Sequence, residues 1–160
     1  DAMNVAGAFM RIDDVGRVIW WQRFFWTPEE EAQSINWKET TAALACLEHA
    51  LEEARDAEIR MAVDNSTARW AIARGRYTTC TALSRRIQGV YDKAATKSCS
   101  IFMLQVPGVD QAADEGCRGL PHDTDKVQRC LLLMKAAMHP LQWFQLLRST
   151  DRSAAVNEPT

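Results

Sequence analysis

The chain reads as an α/β domain built on a mixed sheet, with an antiparallel hairpin at its edge and flanking helices. Three observations lead there. Two segments rich in β-branched and aromatic residues stand near the start, separated by Asp13-Asp14-Val15-Gly16, a turn-forming tetrapeptide. Two later apolar runs of strand length, residues 59–63 and 100–106, end at Asp64-Asn65 and at Pro107-Gly108. Between and after them lie stretches whose leucines, isoleucines and valines recur at helical spacing. The order is hairpin, helix, strand, helices, strand, helix, which suits a mixed sheet with helices packed against it.

The elements follow in chain order. Residues 7–12 form a short strand, and residues 17–25, with Val-Ile-Trp-Trp-Gln-Arg-Phe-Phe, form its hairpin partner. Thr27-Pro28 ends the hairpin, and residues 29–34 read as a polar connection. A helix over residues 36–54 carries Leu44, Leu47 and Leu51 on one stripe. Asn36 suits its N-cap, with Glu39 three residues on, so Glu39 also reads as a capping-box glutamate. After the strand at 59–63, a helix at 66–73 is stopped by Arg74-Gly75-Arg76. Another over 78–91 places Leu83, Ile87 and Val90 on one face. A helical turn begins at 111–116, and a last long helix over 124–138 is broken by Pro140. Residues 141–147 suit a short amphipathic helix, and 149–160 a disordered tail.

At 160 residues, with 47% hydrophobic and 25% charged content, the chain is sized for one domain with its own core. No apolar run approaches the roughly 20 residues that cross a bilayer. No secretory leader is evident, so an intracellular place, cytoplasmic or nuclear, is expected. The five cysteines are odd in number and form no C-x-x-C pair, which argues against a zinc site or disulfide framework. His49 reads as structural, His122 as a surface residue and His139 as a helix-end residue.

The net charge of −2 conceals an asymmetry. Residues 65–91 contain no Asp or Glu, yet hold Arg69, Arg74, Arg76, Arg85 and Arg86; residues 29–58 are strongly acidic. One face can therefore meet phosphates while the whole stays weakly acidic, although a solvated helical face would look the same. Trp70 and Tyr77 in this stretch suit either stacking or packing.

Four acidic residues can converge on one point: Asp1 in a strand, Glu39 on a helix, Asp64 ending a strand and Asp114 opening a late helix. Gathered carboxylates repel one another, so they persist mainly where divalent cations neutralise them. Asp1-Ala2 followed by Gly7-Ala8, Ile35-Asn36-Trp37-Lys38-Glu39, Val63-Asp64-Asn65-Ser66-Thr67-Ala68, and the block from Val106-Pro107-Gly108 to Asp114-Glu115-Gly116-Cys117-Arg118 occur in one order. Together they resemble the ribonuclease H domain of reverse-transcribing retroelements, most closely the tyrosine-recombinase DIRS/VIPER type. The resemblance covers residues 1 to about 120, with 121–148 as a C-terminal helical extension. The glycine-rich hairpin is shortened, the first strand is expected to be truncated on its N-terminal side, and Gln111 and Cys117 replace the family's usual Asn and Ser.

What the resemblance implies is specific. It implies a ribonuclease H-like fold and two-metal hydrolysis of the RNA strand of RNA–DNA hybrids. Asp1, Glu39, Asp64 and Asp114 would be the catalytic carboxylates holding two Mg²⁺, for which Mn²⁺ can substitute. Asn65, Ser66, Thr67, Arg69, Arg74, Arg76, Arg85 and Arg86 would meet nucleic acid. Ser66 and Thr67 would cap the helix they open. An upstream polymerase domain of the same polyprotein would be the partner. The alternative is an inactive or domesticated module of the same fold that binds nucleic acid or a protein.

Overall fold

The computed structural model describes residues 1–137. The expected helix at 141–147, the tail at 149–160 and His139 lie outside the described residues. The described chain is mixed α/β. It contains β1 (Ala6–Ile12), β2 (Val18–Phe25), α1 (Pro28–Glu31), α2 (Ile35–Glu53), β3 (Glu58–Val63), α3 (Ser66–Arg74), α4 (Thr81–Thr96), β4 (Ser100–Gln105), a 3-10 turn (Gly108–Asp110), α5 (Asp114–Arg118) and α6 (Thr124–Ala136).

The strands form two separate pairs rather than one continuous sheet. β1 and β2 are antiparallel, from Ala6 opposite Phe25 to Arg11 opposite Trp20, with a bulge before Ile12 meets Val18. β3 and β4 are parallel, from Glu58 opposite Ser100 to Val63 opposite Gln105. Among the described residues, Asp1 and Ala2 lie beside β1 on its other edge, with Ala2 opposite Gly7. The Asp1 amine donates to the Ala8 carbonyl at 3.0 Å, and the Ala8 amide returns the bond at 3.0 Å.

Local chemistry explains where the elements differ from expectation. The connection after the hairpin contains α1, because Thr27 and Glu30 form a reciprocal capping box with Pro28 at the first helical position. Helix α2 is capped by Ser34, whose hydroxyl accepts from the Trp37 amide at 3.2 Å. Asn36 therefore lies inside the helix, and Glu39 is no capping-box residue. Helix α4 starts three residues late, because the Ser84 hydroxyl bonds both the amide and the carbonyl of Tyr77 and holds that stretch as a turn. Helix α5 starts after a 3-10 turn rather than at Gln111. Gly75 (φ 77°) and Gly119 (φ 74°) end α3 and α5 in the left-handed region that glycine tolerates.

Alternation along β1 and β3 divides the core between two layers. Leu44, Leu47 and Leu51 of α2 join Ile72 of α3, Ile87 and Val90 of α4, Met61 and Val63 of β3 and Met103 of β4. The opposite layer gathers Val106, Ala112, and Val127 and Cys130 of α6, with Met10 and Ile12 of β1 and Ala62 of β3 packed against them. Burying each large aliphatic side chain contributes about 1.5–3 kcal/mol. His49 lies within the aromatic packing as expected, 4.5 Å from the Trp20 ring and 5.8 Å from Phe9. His122 is not a surface residue: it is half-buried, edge-on to Trp21 at 5.1 Å.

Leu51 is fully enclosed in the larger cluster. Leu51→Ala is expected to cost about 2–5 kcal/mol, read as a lower urea midpoint with an unchanged slope.

Candidate metal centre

Three elements deliver one carboxylate each. Asp1 is fixed by its ladder to Ala8, and the chain beyond it is held just as closely. The Met3 amide reaches the Ala6 carbonyl at 2.8 Å, and the Trp26 indole N–H reaches the Met3 carbonyl at 2.9 Å. Buried Lys38 donates to the carbonyls of Asn4 (3.0 Å) and Glu31 (2.8 Å), locking this turn against α2. Glu39, one residue on, is buried and accepts the Ala2 amide on Oε1 at 3.0 Å. Asp64 follows the last residue of β3, where the Val106 amide to the Val63 carbonyl (2.9 Å) carries the pairing one step beyond the strands.

One ligand oxygen from each of Asp1, Glu39 and Asp64 lies within 4.8 Å of the others. These residues stand far apart in sequence, so the fold itself creates the cluster. Burial raises the Glu39 pKa above its ordinary value; the nearby N-terminal ammonium lowers it, the Asp64 charge raises it, the Ala2 hydrogen bond lowers it and the Asp114 charge raises it. The arrangement is an acidic group of hard oxygen donors that could bind a metal.

Asp114 stands apart from that group. Its Oδ1 accepts from Arg118 Nε at 3.2 Å and its Oδ2 from Lys126 Nζ at 3.2 Å. Lys126 also bonds Glu115 at 2.7 Å. Partial burial disfavours the Lys126 charge, yet the bonds to Glu115 and Asp114 leave its pKa raised. Asp114 thus lies close enough to be felt at Glu39, but cations on α5 and α6 already neutralise it.

The expected nucleic-acid residues divide into distinct groups. Asn65 caps α3, accepting the Ala68 amide at 2.9 Å, while its Nδ2 donates to Asn36 Oδ1 at 2.9 Å. Asn65 thus takes the capping role expected of Ser66 and Thr67, which instead lie exposed in the first turn, and it joins α2 to α3 beside Asp64. Trp70 is 48% exposed, with the Arg69 and Arg74 guanidiniums each 4.9 Å from its ring, so packing does not account for it. Arg76 and Arg85 are exposed. Arg86 is drawn the other way, to Glu48 at 2.6 Å.

Sequence reasoning missed several residues around the cluster. Lys38 and Lys126 act over distances that no local motif encodes. Gly108 packs closely on the cluster: a Cβ there would stand 3.2 Å from Asp64 Oδ2. Gln111, visible in the sequence only as an unusual residue, is buried and donates to the Ala62 carbonyl at 3.3 Å.

Because the Glu39 pKa is raised, the folded state holds that proton more firmly than the unfolded chain. Its contribution is fully present below the ordinary glutamate pKa and is lost as pH rises through the raised value. Glu39→Gln keeps an acceptor for Ala2 and is expected to raise the pH 7 melting temperature and flatten its pH dependence in that window. In the parent chain, Mg²⁺ at ten times its Kd should add about 1.4 kcal/mol, and none in the variant. Melting curves indifferent to both pH and Mg²⁺ would count against the cluster. No family model, curated protein or solved structure matches this chain.

Proposed function

We propose that the chain is a ribonuclease H-type endonuclease that hydrolyses the RNA strand of RNA–DNA hybrids, as part of a retroelement reverse transcriptase with an upstream polymerase domain. The observation that carries this reading is the convergence of Asp1, Glu39 and Asp64 within 4.8 Å. The ribonuclease H-like form of the fold belongs to the same proposal, supported by the antiparallel hairpin, the parallel pair and the helices between them.

The donors fit the metal that this reading requires. All three are carboxylates, which suit Mg²⁺ and Mn²⁺ better than softer ions. Asp1, Glu39 and Asp64 would hold the ions, which when bound would supply an activated water and stabilise the leaving 3′-oxygen. The chain's own residues do the rest. Asn65 fixes the end of β3 against α2. The first turn of α3, with Ser66 and Thr67 exposed, offers amides to a phosphate beside the carboxylates. Further along that helix, Trp70 between Arg69 and Arg74 presents a ring and two cations to the backbone and sugars of a duplex. Arg76 and Arg85 extend the cationic surface, whereas Arg86 holds Glu48 and takes no part. A preference for RNA would come from contacts to 2′-hydroxyls across the wide minor groove of the hybrid.

One observation favours a second reading. Asp114 is neutralised by Arg118 and Lys126, which leaves three converging carboxylates rather than four. A module that binds nucleic acid without cutting it would tolerate that arrangement.

Incubating the chain with Mg²⁺ and a hybrid whose RNA strand is labelled separates the readings. Cleavage leaving 5′-phosphates, reduced about a hundredfold or more in Asp64→Asn, supports the nuclease; binding without cleavage supports the module. Trp70→Ala is expected to weaken hybrid binding severalfold through lost sugar and backbone contacts, and Arg86→Ala to leave it unchanged in a fluorescence titration.

A further inference from the structure

A groove of about 370 Å³ lies between the hairpin and α2, away from the carboxylate cluster. One wall is a face of the hairpin, with Phe9 of β1, Phe24 of β2 and Trp26 just beyond it. The other is a stripe along α2, Thr41, Ala45, Glu48 and Glu52, whose spacing of three and four residues keeps it on one side of the helix. Glu39 points largely the other way, since two residues along a helix turn through about 200°. Ala45 carries only a methyl group and leaves the middle of the stripe open.

Polar groups stand at the two ends. Trp26 is 6.1 Å from Trp37, one turn before Thr41, and Glu30 follows it on α1, so Glu30 and Thr41 mark the end near the start of α2. Phe9 is 5.8 Å from His49, which marks the other end beside Glu52. Thr41 and Glu52 are about 16 Å apart along the helix axis. Between them, Glu48 is already engaged by Arg86 Nε at 2.6 Å. Glu30 gives one oxygen to the Thr27 amide at 2.9 Å, but among the described residues neither Glu30 nor Glu52 has an ion-pair partner. Thr41 is 5% exposed, and its hydroxyl has no hydrogen-bond partner among the described residues. Its neighbour Thr40 returns its own hydroxyl to the Asn36 carbonyl at 2.8 Å, the usual solution on a helix. The orphaned Thr41 hydroxyl is left to the groove it lines.

This lining narrows the ligand. Three carboxylates against one guanidinium leave two negative charges with His49 neutral, which disfavours an anion. A metal ion is disfavoured as well, because among the described residues three acidic or other ligand side chains gather within 4.8 Å only at Asp1, Glu39 and Asp64. The complementary shape is an extended cation, charged at both ends and apolar between, with its methylenes against Phe9 and Phe24. We propose that this groove binds a linear aliphatic polyamine, one terminal ammonium held by Glu30 and the Thr41 hydroxyl and the other by Glu52. The inference is independent of the nuclease reading, since none of these residues belongs to the carboxylate cluster.

Calorimetric titration of the full chain with spermidine tests this, with n-butylamine as the singly charged control. Spermidine is expected to bind one site per chain, and butylamine at least about tenfold more weakly, since it satisfies only one end. Ala45→Leu blocks the middle without changing charge, and Glu52→Gln removes one terminal anion; each is expected to weaken spermidine at least about tenfold. Thr41→Val is expected to weaken binding severalfold while leaving the ligand-free melting temperature unchanged or higher, because an unpaired buried hydroxyl stabilises nothing. Asp64→Asn is expected to bind as the parent does. Equal affinity in the parent, Ala45→Leu and Glu52→Gln overturns the proposal, as does loss of binding in Asp64→Asn, which would place the amine at the carboxylate cluster. Butylamine matching spermidine, or no binding of spermidine at millimolar concentration, also overturns it. Tighter binding of tri-lysine than of spermidine assigns the groove to a partner's side chains and overturns it too. If Ala45→Leu does not fold, Ala45→Met replaces it under the same criteria.

Discussion

Everything at the site depends on keeping a carboxylate in a place from which water has been largely removed. Glu39 is buried, and its charge is opposed both by lost solvation and by the acids around it. Its compensation is a single peptide N–H from Ala2 and the ammonium of the first residue. That is a small return for an ionised group in a low-dielectric setting, and far less than an ion pair of good geometry would provide. A cluster so thinly compensated could bind a cation, and that gives the proposed chemistry its physical basis.

The second constraint is mechanical. Three carboxylates on a strand end, a helix and another strand end can meet only if those elements are held in register. Lys38 fastens the N-terminal turn to α2 through two carbonyls, and the Asn65–Asn36 pair fastens α3 to α2. Helix α2 is therefore the common reference for all three acids. Its apolar stripe fixes its depth in the core, while its polar first turns set the positions of the neighbours. Among the described residues no strand pairing joins hairpin and parallel pair, and α2 and α6 pack against both.

The sequence shows how far local rules extend. Strand and helix locations were legible to within a few residues, since alternation, helical stripes and Pro-Gly punctuation reflect burial directly. Convergence of Asp1, Glu39 and Asp64 was legible from motif order, and the structure brings those three together. Asp114 was not legible in the same way: its neutralising lysine lies on another helix, and only packing of α6 beside α5 reveals the contact. The cap of α2 was misread because Asn36 and Glu39 have capping-box spacing, but Ser34 already satisfies the terminal amide. Arginine positions in residues 65–91 were visible in the sequence, yet their directions were not. Arg86 faces an acidic helix, whereas Arg69 and Arg74 flank an exposed indole.

Gly108 has a wider consequence than its size suggests. Any side chain at that position would press on the Asp64 carboxylate from the loop after β4. Drift at this one codon would thus be transmitted to the acidic cluster without altering any of its members. A Gly108→Ala variant keeps all three acids while asking the Asp64 carboxylate to give way slightly. Judging the cluster by its acidic residues alone would overlook this coupling.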